Sequence, residues 1–272
     1  NNFYIFVGSS GQLNITNMKK ILLLIAVMLF ITSSVIAETN TANTGERDWD
    51  TAGTWSTGSV PTSASQVVIP DGAIITVDAT ATLESINVQS GGYIFINNAM
   101  TVTGASNAST VTGSMTVSAT LTFTANNLTV ASGGSISLDP AKQVIFSSTS
   151  SEIANSGSIT CNSDSDEFSS FIYRGTAYSG SDNFTYARYI SAVGSAWDLI
   201  GSAVENETAS DIASQGNIAD NSGDFGIGTY DNTGTGNSGN GTWSTFSAGN
   251  AAGEGIMESG KGFQMASATG AT

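Results

Sequence analysis

From Val67 onward, apolar and polar residues alternate along the chain in short runs. Val67–Pro70, Ile74–Val77, Ser85–Val88, Tyr93–Ile96 and Met100–Gly104 all carry this strand-like pattern. Successive side chains on a strand point to opposite faces, so period-two alternation over four or five residues predicts half-buried strands. Asp71-Gly72, Gly91-Gly92, Asn97-Asn98 and Gly133-Gly134 separate the runs as turn signals. Helix-favouring runs are few.

The pattern also repeats. Ile86-Asn87-Val88-Gln89-Ser90-Gly91-Gly92-Tyr93-Ile94-Phe95-Ile96 aligns with Leu128-Thr129-Val130-Ala131-Ser132-Gly133-Gly134-Ser135-Ile136-Ser137-Leu138 at an offset of 42. A weaker copy, Ile153 to Ile159, centres on Gly157, which lies 23 residues after Gly134. Met115-Thr116-Val117 and Leu121-Thr122-Phe123 fill the interval with further alternation. An offset of 42 divides into two coils of about 21 residues, the sign of a β-solenoid. A lone coil of two short strands cannot bury its inward side chains. Coils stacked about 4.8 Å apart pair their backbones and share one core. Val88, Ile94, Ile96, Val130, Ile136 and Leu138 are expected to point inward, with the Gly-Gly pairs at corners where positive φ or close backbone approach is needed. The competing reading is a β-sandwich in which Ser-Gly-Gly is a hairpin turn.

From Ser169 the character changes. The repeat stops and aromatic residues become denser at Phe171, Tyr173, Tyr178, Phe184, Tyr186 and Tyr189. Spacing within Ala203–Ala219 predicts a short helix, and strands are expected at Phe225–Tyr230, around Trp243 and Phe246, and at Gly260–Met265. The expected fold is therefore all-β: a parallel β-helix-like solenoid over 38–168, then an incomplete β-sandwich-like region over 169–272.

The amino-terminal stretch reads differently. Met18-Lys19-Lys20, the apolar run Ile21–Ile31, the small polar Thr32, Ser33 and Ser34, and Val35-Ile36-Ala37 follow the order of a secretory signal peptide over 18–37, with cleavage between Ala37 and Glu38. The apolar run is shorter than the ~20 residues of a spanning helix, so no transmembrane span is expected. Residues 1–17 are read as leader upstream of a start at Met18. The end at Thr272, with no closing element, suggests a fragment of a longer protein.

Charge narrows the partners. Removing the signal leaves five basic residues against 22 acidic ones, a formal charge of −17, which disfavours nucleic acid and anionic membranes. The sequence contains no His, which excludes a Ser-His-Asp triad or His-ligated zinc within this chain. Cys161 is the single cysteine. It shares strand parity with Ile159 and reads as a small buried hydrophobe, with a reactive or intermolecular thiol as the alternative.

Two segments have the oxygen density of a calcium loop. Asn162, Asp164 and Asp166 fall at alternate positions, although the sixth position lacks Gly and Tyr173 stands where an EF-hand needs Glu. A solvated acidic turn is the plainer account, and Asp220–Asp224 invites the same two readings. Calcium is the one cofactor considered. Trp49, Trp55, Trp197 and Trp243 are candidate sugar platforms or, alternatively, end caps and core fillers. Gly226-Ile227-Gly228 lacks the following Lys-Ser/Thr of a phosphate loop. No catalytic grouping emerges.

Trp55-x-x-Gly58-x-Val60-Pro61, Val67-x-Ile69-Pro70-x-Gly72 and Ile75-Thr76-Val77-Asp78 resemble the opening of solenoid modules in secreted Bacteroidota-type surface proteins, and of the extracellular domain named for its eight glycines. Trp197–Ser202, Gly228–Asp231 and Gly260–Phe263 are similar to the β-rich segment that often follows. The resemblance spans roughly 49–138 and 186–265, and implies a type IX secretion sorting domain that is not visible in this sequence. The expected function is a secreted or outer-surface, non-enzymatic structural or adhesion module, whose partners would be extracellular glycans or cell-surface components. The alternative is a polysaccharide-binding or polysaccharide-degrading protein with its catalytic domain beyond residue 272.

Overall fold

The computed structural model describes residues 37–104, 107–180, 183–190, 197–201, 207–214, 218–231, 242–247, 256–257 and 262–268. The chain divides into two compact units, 1–38 and 39–272. Ala37 and Glu38 are the first described residues, and Glu38 opens the first strand. The proposed leader and the signal segment up to Ile36 lie outside the described residues. Among those described, no helix is long and apolar enough to cross a membrane.

Residues 38–186 form a parallel β-solenoid. A partial coil holds β1 (Glu38–Thr41) and β2 (Gly45–Asp48). Five complete coils follow. They are β3 (Ser65–Ile69), β4 (Ala73–Val77) and β5 (Ala81–Leu83); β6 (Ser85–Val88), β7 (Tyr93–Ile96) and β8 (Met100–Val102); β9 (Ser109–Val111), β10 (Ser114–Val117) and β11 (Thr120–Phe123); β12 (Leu128–Val130), β13 (Ser135–Leu138) and β14 (Gln143–Phe146); and β15 (Glu152–Asn155), β16 (Ser158–Cys161) and β17 (Ser170–Tyr173). A last partial coil holds β18 (Ala177–Ser179) and β19 (Phe184–Tyr186). Each strand pairs with its equivalent in the next coil, giving two seven-stranded sheets and one of five. We call these sheet 1 (β1, β3, β6, β9, β12, β15, β18), sheet 2 (β2, β4, β7, β10, β13, β16, β19) and sheet 3 (β5, β8, β11, β14, β17).

The coil thus has three strands where two were expected. The third is only three or four residues long, and a run such as Leu121-Thr122-Phe123 reads as filler between longer strands. Parallel in-register pairing also rules out the hairpin reading of Ser-Gly-Gly.

Inward residues form columns. Ile75, Ile94, Met115, Ile136, Ile159 and Phe184 lie in one register, at intervals of 19, 21, 21, 23 and 25 residues. Leu83, Val102, Phe123, Phe146 and Tyr173 form another. Coils therefore lengthen along the chain, and the side chains filling them grow with them. Phe123 and Phe146 stack with centroids 4.5 Å apart and planes 9° apart, close to the rung spacing of parallel strands. Phe171, Tyr173, Tyr178 and Phe184 extend this aromatic cluster. The aromatic enrichment after Ser169 therefore belongs to the widening solenoid, and strand pairing continues past residue 168 to Tyr186.

The Gly-Gly corner is explained atom by atom. Gly91 and Gly133 have φ of +78° and +86°, a region that costs any residue with a Cβ. Their successors stack in a column with Gly113 and Gly157. A Cβ on Gly134 would lie 2.2 Å from the Val111 carbonyl oxygen, and one on Gly157 would lie 2.3 Å from the Gly134 oxygen. At the corner before sheet 1, a second column is polar and buried: Ser65, Glu84, Asn126 and Ser151. There the Asn126 amide donates to the Asn107 carbonyl at 2.6 Å and accepts from the Ser109 N–H at 2.8 Å. It thereby serves the Asn107 carbonyl at the bend and shares the Ser109 N–H with the Asn127 carbonyl.

The carboxy-terminal region is antiparallel. β20 (Asp198–Gly201), β21 (Glu207–Thr208), helix α1 (Ala209–Ser214), β22 (Asp220–Asn221), β23 (Asp224–Asp231), β24 (Thr242–Ser247), β25 (Ile256–Met257) and β26 (Gly262–Met265) follow in order. β20-β26-β23-β22 make one sheet, with β24 also on β23, and β21 pairs with β25. The expected helix is present as a six-residue segment, and the expected strands are β23, β24 and β26.

Candidate functional site

The most distinctive surface is the outward face of sheet 2. Alternation that buries Ile75, Ile94, Met115, Ile136 and Ile159 turns their neighbours out into two parallel columns. One is Ile74, Tyr93, Ser114, Ser135 and Ser158; the other is Thr76, Phe95, Thr116, Ser137, Thr160 and Thr185. Adjacent rungs lie about 4.8 Å apart, and the two columns lie about 7 Å apart along each strand. From β4 to β19 no charged side chain stands in either column. β2 extends them at one end with Glu46 and Asp48, both acidic.

Tyr93 and Phe95 interrupt this hydroxyl array. They are 44% and 37% exposed, side by side on β7, between Ile74 and Thr76 on one flank and Ser114 and Thr116 on the other. Large exposed aromatics on a flat sheet are costly unless something covers them. Ser135 donates to the Ser114 hydroxyl at 3.1 Å, which links two neighbouring rungs of the array.

A polar rim runs along the next corner at one residue per coil: Asp78, Asn97, Ser118, Asp139 and Asn162. The Asn97 amide donates to the Asp78 carboxylate at 3.0 Å, and the Ser118 hydroxyl donates to Asp139 at 2.6 Å. Asn162 donates to the Ser137 hydroxyl at 3.0 Å and to the Leu138 carbonyl at 2.8 Å.

The proposed calcium ligands are thereby placed. Asn162 occupies a rim position, its amide turned onto the preceding coil. Asp164 and Asp166 lie on an exposed excursion from Asn162 to Ser169 that is pinched by the Ser163–Phe168 bridge. Asp164 accepts the N–H groups of Asp166 and Glu167 at 3.0 and 2.8 Å, and these bonds hold its carboxyl below the usual carboxylate range. Asp220–Asp224 closes the β22–β23 hairpin. Ser222 and Gly223 have φ of 59° and 97°, the type I′ pattern, and Asp220 accepts the Gly223 N–H at 2.8 Å. Among the described residues, no three His, Cys, Asp or Glu side chains gather as a metal set.

The tryptophans divide. Trp49 and Trp55 are buried, packed edge to face at 4.8 Å, and the Trp55 indole donates to the Trp49 carbonyl at 2.8 Å. They belong to the first coil, which has no third strand, and join its core there. They are not sugar platforms. Trp197 is 43% exposed, and the Trp243 side chain lies outside the described residues. Cys161 is fully buried, and its thiol is pushed up to about 11 by burial, as expected of a small hydrophobe. A groove of about 250 Å³ on sheet 1 has Glu152 as its one ionisable lining residue.

Strand parity already turns Tyr93 and Phe95 outward, opposite to Ile94 and Ile96. That parity is the sequence signal for the aromatic pair, and tryptophan positions alone do not reveal it. Compared with known proteins, the chain matches no family model, no curated protein and no solved structure.

Proposed function

We propose that the chain is an exported, non-enzymatic surface or matrix module that acts through its solenoid faces as a spacer or adhesin. The carrying observation is the sheet 2 face, which from β4 to β19 is an uncharged, regularly spaced surface with exposed aromatic rings on a core that is filled along its length. A surface of that kind suits contact with an extended partner better than turnover of a small one. The strong net negative charge and the signal-like segment 18–37 support a secreted or outer-surface location. The resemblance to Bacteroidota-type surface proteins, with type IX sorting, belongs to the same proposal.

Expression in a bacterial host from Met18, followed by amino-terminal sequencing of extracellular protein, should return Glu38 as the first residue. The purified chain should coat host-cell or matrix-covered surfaces and retain cells on them. Protein kept inside the cell with an intact amino terminus, or a chain that coats nothing, would sink the reading.

A further inference from the structure

We propose that the outward face of sheet 2, centred on Tyr93 and Phe95, binds a neutral polysaccharide laid across the coils. This rests on the adhesion reading above and assigns it a partner and a site.

Three observations combine. Tyr93 and Phe95 present two aromatic rings from backbone positions about 7 Å apart on one strand, both substantially exposed. Pyranose rings have apolar C–H faces that stack on such platforms, and the amphipathic Tyr ring adds a hydroxyl at its edge. Next to the rings, Ser114, Thr116, Ser135, Ser137, Ser158 and Thr160 repeat in register over three coils. Hydroxyls both donate and accept, so a regular array can meet sugar hydroxyls along a chain with its own short repeat. Asp78 and Asp139 add carboxylate oxygens along one margin, each already accepting one hydrogen bond from a neighbouring coil.

Charge selects the class of polymer. The two columns hold no cation, and they end at Glu46 and Asp48 on β2. The rim carries carboxylates, and the chain excluding residues 1–37 has a formal charge of −17. Uronate or sulfated polymers would meet repulsion with no Lys or Arg in the columns to offset it. A neutral polymer meets aromatic faces, hydroxyls and the Ile74 side chain, with no charge in the columns from β4 to β19. Protein–protein interfaces are enriched in Arg and Met beside their aromatics and depleted in Ser, whereas here five of the seven rungs are Ser or Thr in at least one column.

The test is depletion binding of the full chain to insoluble curdlan, cellulose and xylan, with alginate and polygalacturonate as anionic controls. Binding to at least one neutral polymer and to neither anionic one is expected. Y93A/F95A should weaken it roughly tenfold or more, while T101A/T122A on the outward side of sheet 3 should leave it unchanged. Because Tyr93 and Phe95 point to solvent, circular dichroism of Y93A/F95A should match the parent. A folded Y93A/F95A chain that binds as the parent does overturns the proposal, as does preference for the anionic polymers or concentration-dependent pairing of the chain that Y93A/F95A abolishes. A chain that retains cells but binds no polysaccharide overturns this assignment alone. A chain that does neither overturns the adhesion reading as well.

Discussion

The solenoid and the antiparallel sheet bury apolar residues at different ranges along the chain. In the solenoid every strand pairs with its equivalent one coil away, as Ile94 does with Met115 and Met115 with Ile136. In the antiparallel region the first strand pairs with the last, Asp198 opposite Met265, and Ile227 reaches the same Met265 from the middle. The solenoid core is a stack in which each inward side chain of the middle coils has a neighbour above and below. The described core of the second region is a small cluster, Ile190, Ala209, Ile227, Phe246, Phe263 and Met265. A defect in a stack is felt by the coils on both sides, whereas one in the cluster is met by fewer partners.

Paired truncations break or sharpen that contrast most strongly. Phe146 is fully buried, stacked on Phe123 and in ring contact with Phe171 and Tyr173. Phe146→Ala should cost about 3–5 kcal/mol, because a ring-sized void opens between coils that cannot close without losing strand register. Phe246 is 9% exposed, with Phe263 at 6.5 Å, and Phe246→Ala should cost roughly 2–3 kcal/mol. Urea unfolding followed by circular dichroism measures both. Equal losses, or a larger one for Phe246→Ala, would mean that stacking confers no added sensitivity.

A glycine pair asks the same question of the backbone. The Cβ of Gly134→Ala would meet the Val111 carbonyl oxygen at 2.2 Å and that of Ala131 at 3.0 Å. Both are backbone atoms held by hydrogen bonds, the Val111 oxygen to the Ala131 N–H of the next coil and the Ala131 oxygen to the Gly134 N–H within the turn, so the coils must separate at that corner, at a cost of about 2–3 kcal/mol. Gly262, at the start of β26, has open space within 4 Å of where a methyl group would sit, and its φ is not positive. Gly262→Ala should stay within about 0.5 kcal/mol of the parent. Thermal melts of the two variants side by side would show whether the column is a tight contact. A Gly134→Ala chain as stable as the parent would refute it.

These residues also explain what was legible in the sequence. The repeat could be read because solenoid contacts are local and periodic. The Ser-Gly-Gly signature marks a corner where one glycine supplies positive φ and the next admits a carbonyl, and that requirement recurs along the stack. Val88, Ile94, Ile96, Val130, Ile136 and Leu138 were placed inward by parity, and all are buried. The three-strand coil stayed hidden although Met100–Gly104 reads as a strand, because three residues such as Ala81–Leu83 carry too little alternation to stand out from a turn. The solenoid's carboxy-terminal extension stayed hidden because its coils lengthen and switch from aliphatic to aromatic filling, which weakens the repeat while leaving the register intact. In the antiparallel region, the individual strands could be read but their pairing could not. Nothing local in Asp198–Gly201 says that its partner is Gly262–Met265. The exposed aromatic pair followed from the same parity as the core, once the face opposite the buried isoleucines is considered in its own right.

A chemical probe of the same contrast uses the single thiol to follow the solenoid apart from the sheet. Cys161 stands in the inward column below Leu138, and burial raises its thiol from 9.0 to about 11. In the folded chain at pH 8, roughly one thiol in a thousand is ionised. A thiol reagent should therefore modify Cys161 only when the carboxy-terminal coils open, whereas circular dichroism reports both regions together. The raised value also sets the pH dependence. The folded state holds the proton more tightly than the unfolded chain does, so this contribution is complete below about pH 9 and is lost as pH rises towards 11. The rise from 9.0 to about 11 corresponds to about 2–3 kcal/mol when the loss is complete. Tyr178 and Tyr186 are shifted upward by burial as well, so Cys161→Val should remove the first part of the alkaline loss and leave the later part in place. If the thiol reacts at pH 8 as fast as a free cysteine while circular dichroism is unchanged, the last coils are open in the native chain. In that case the contrast between a continuous stack and a small cluster fails at the stack's carboxy-terminal end.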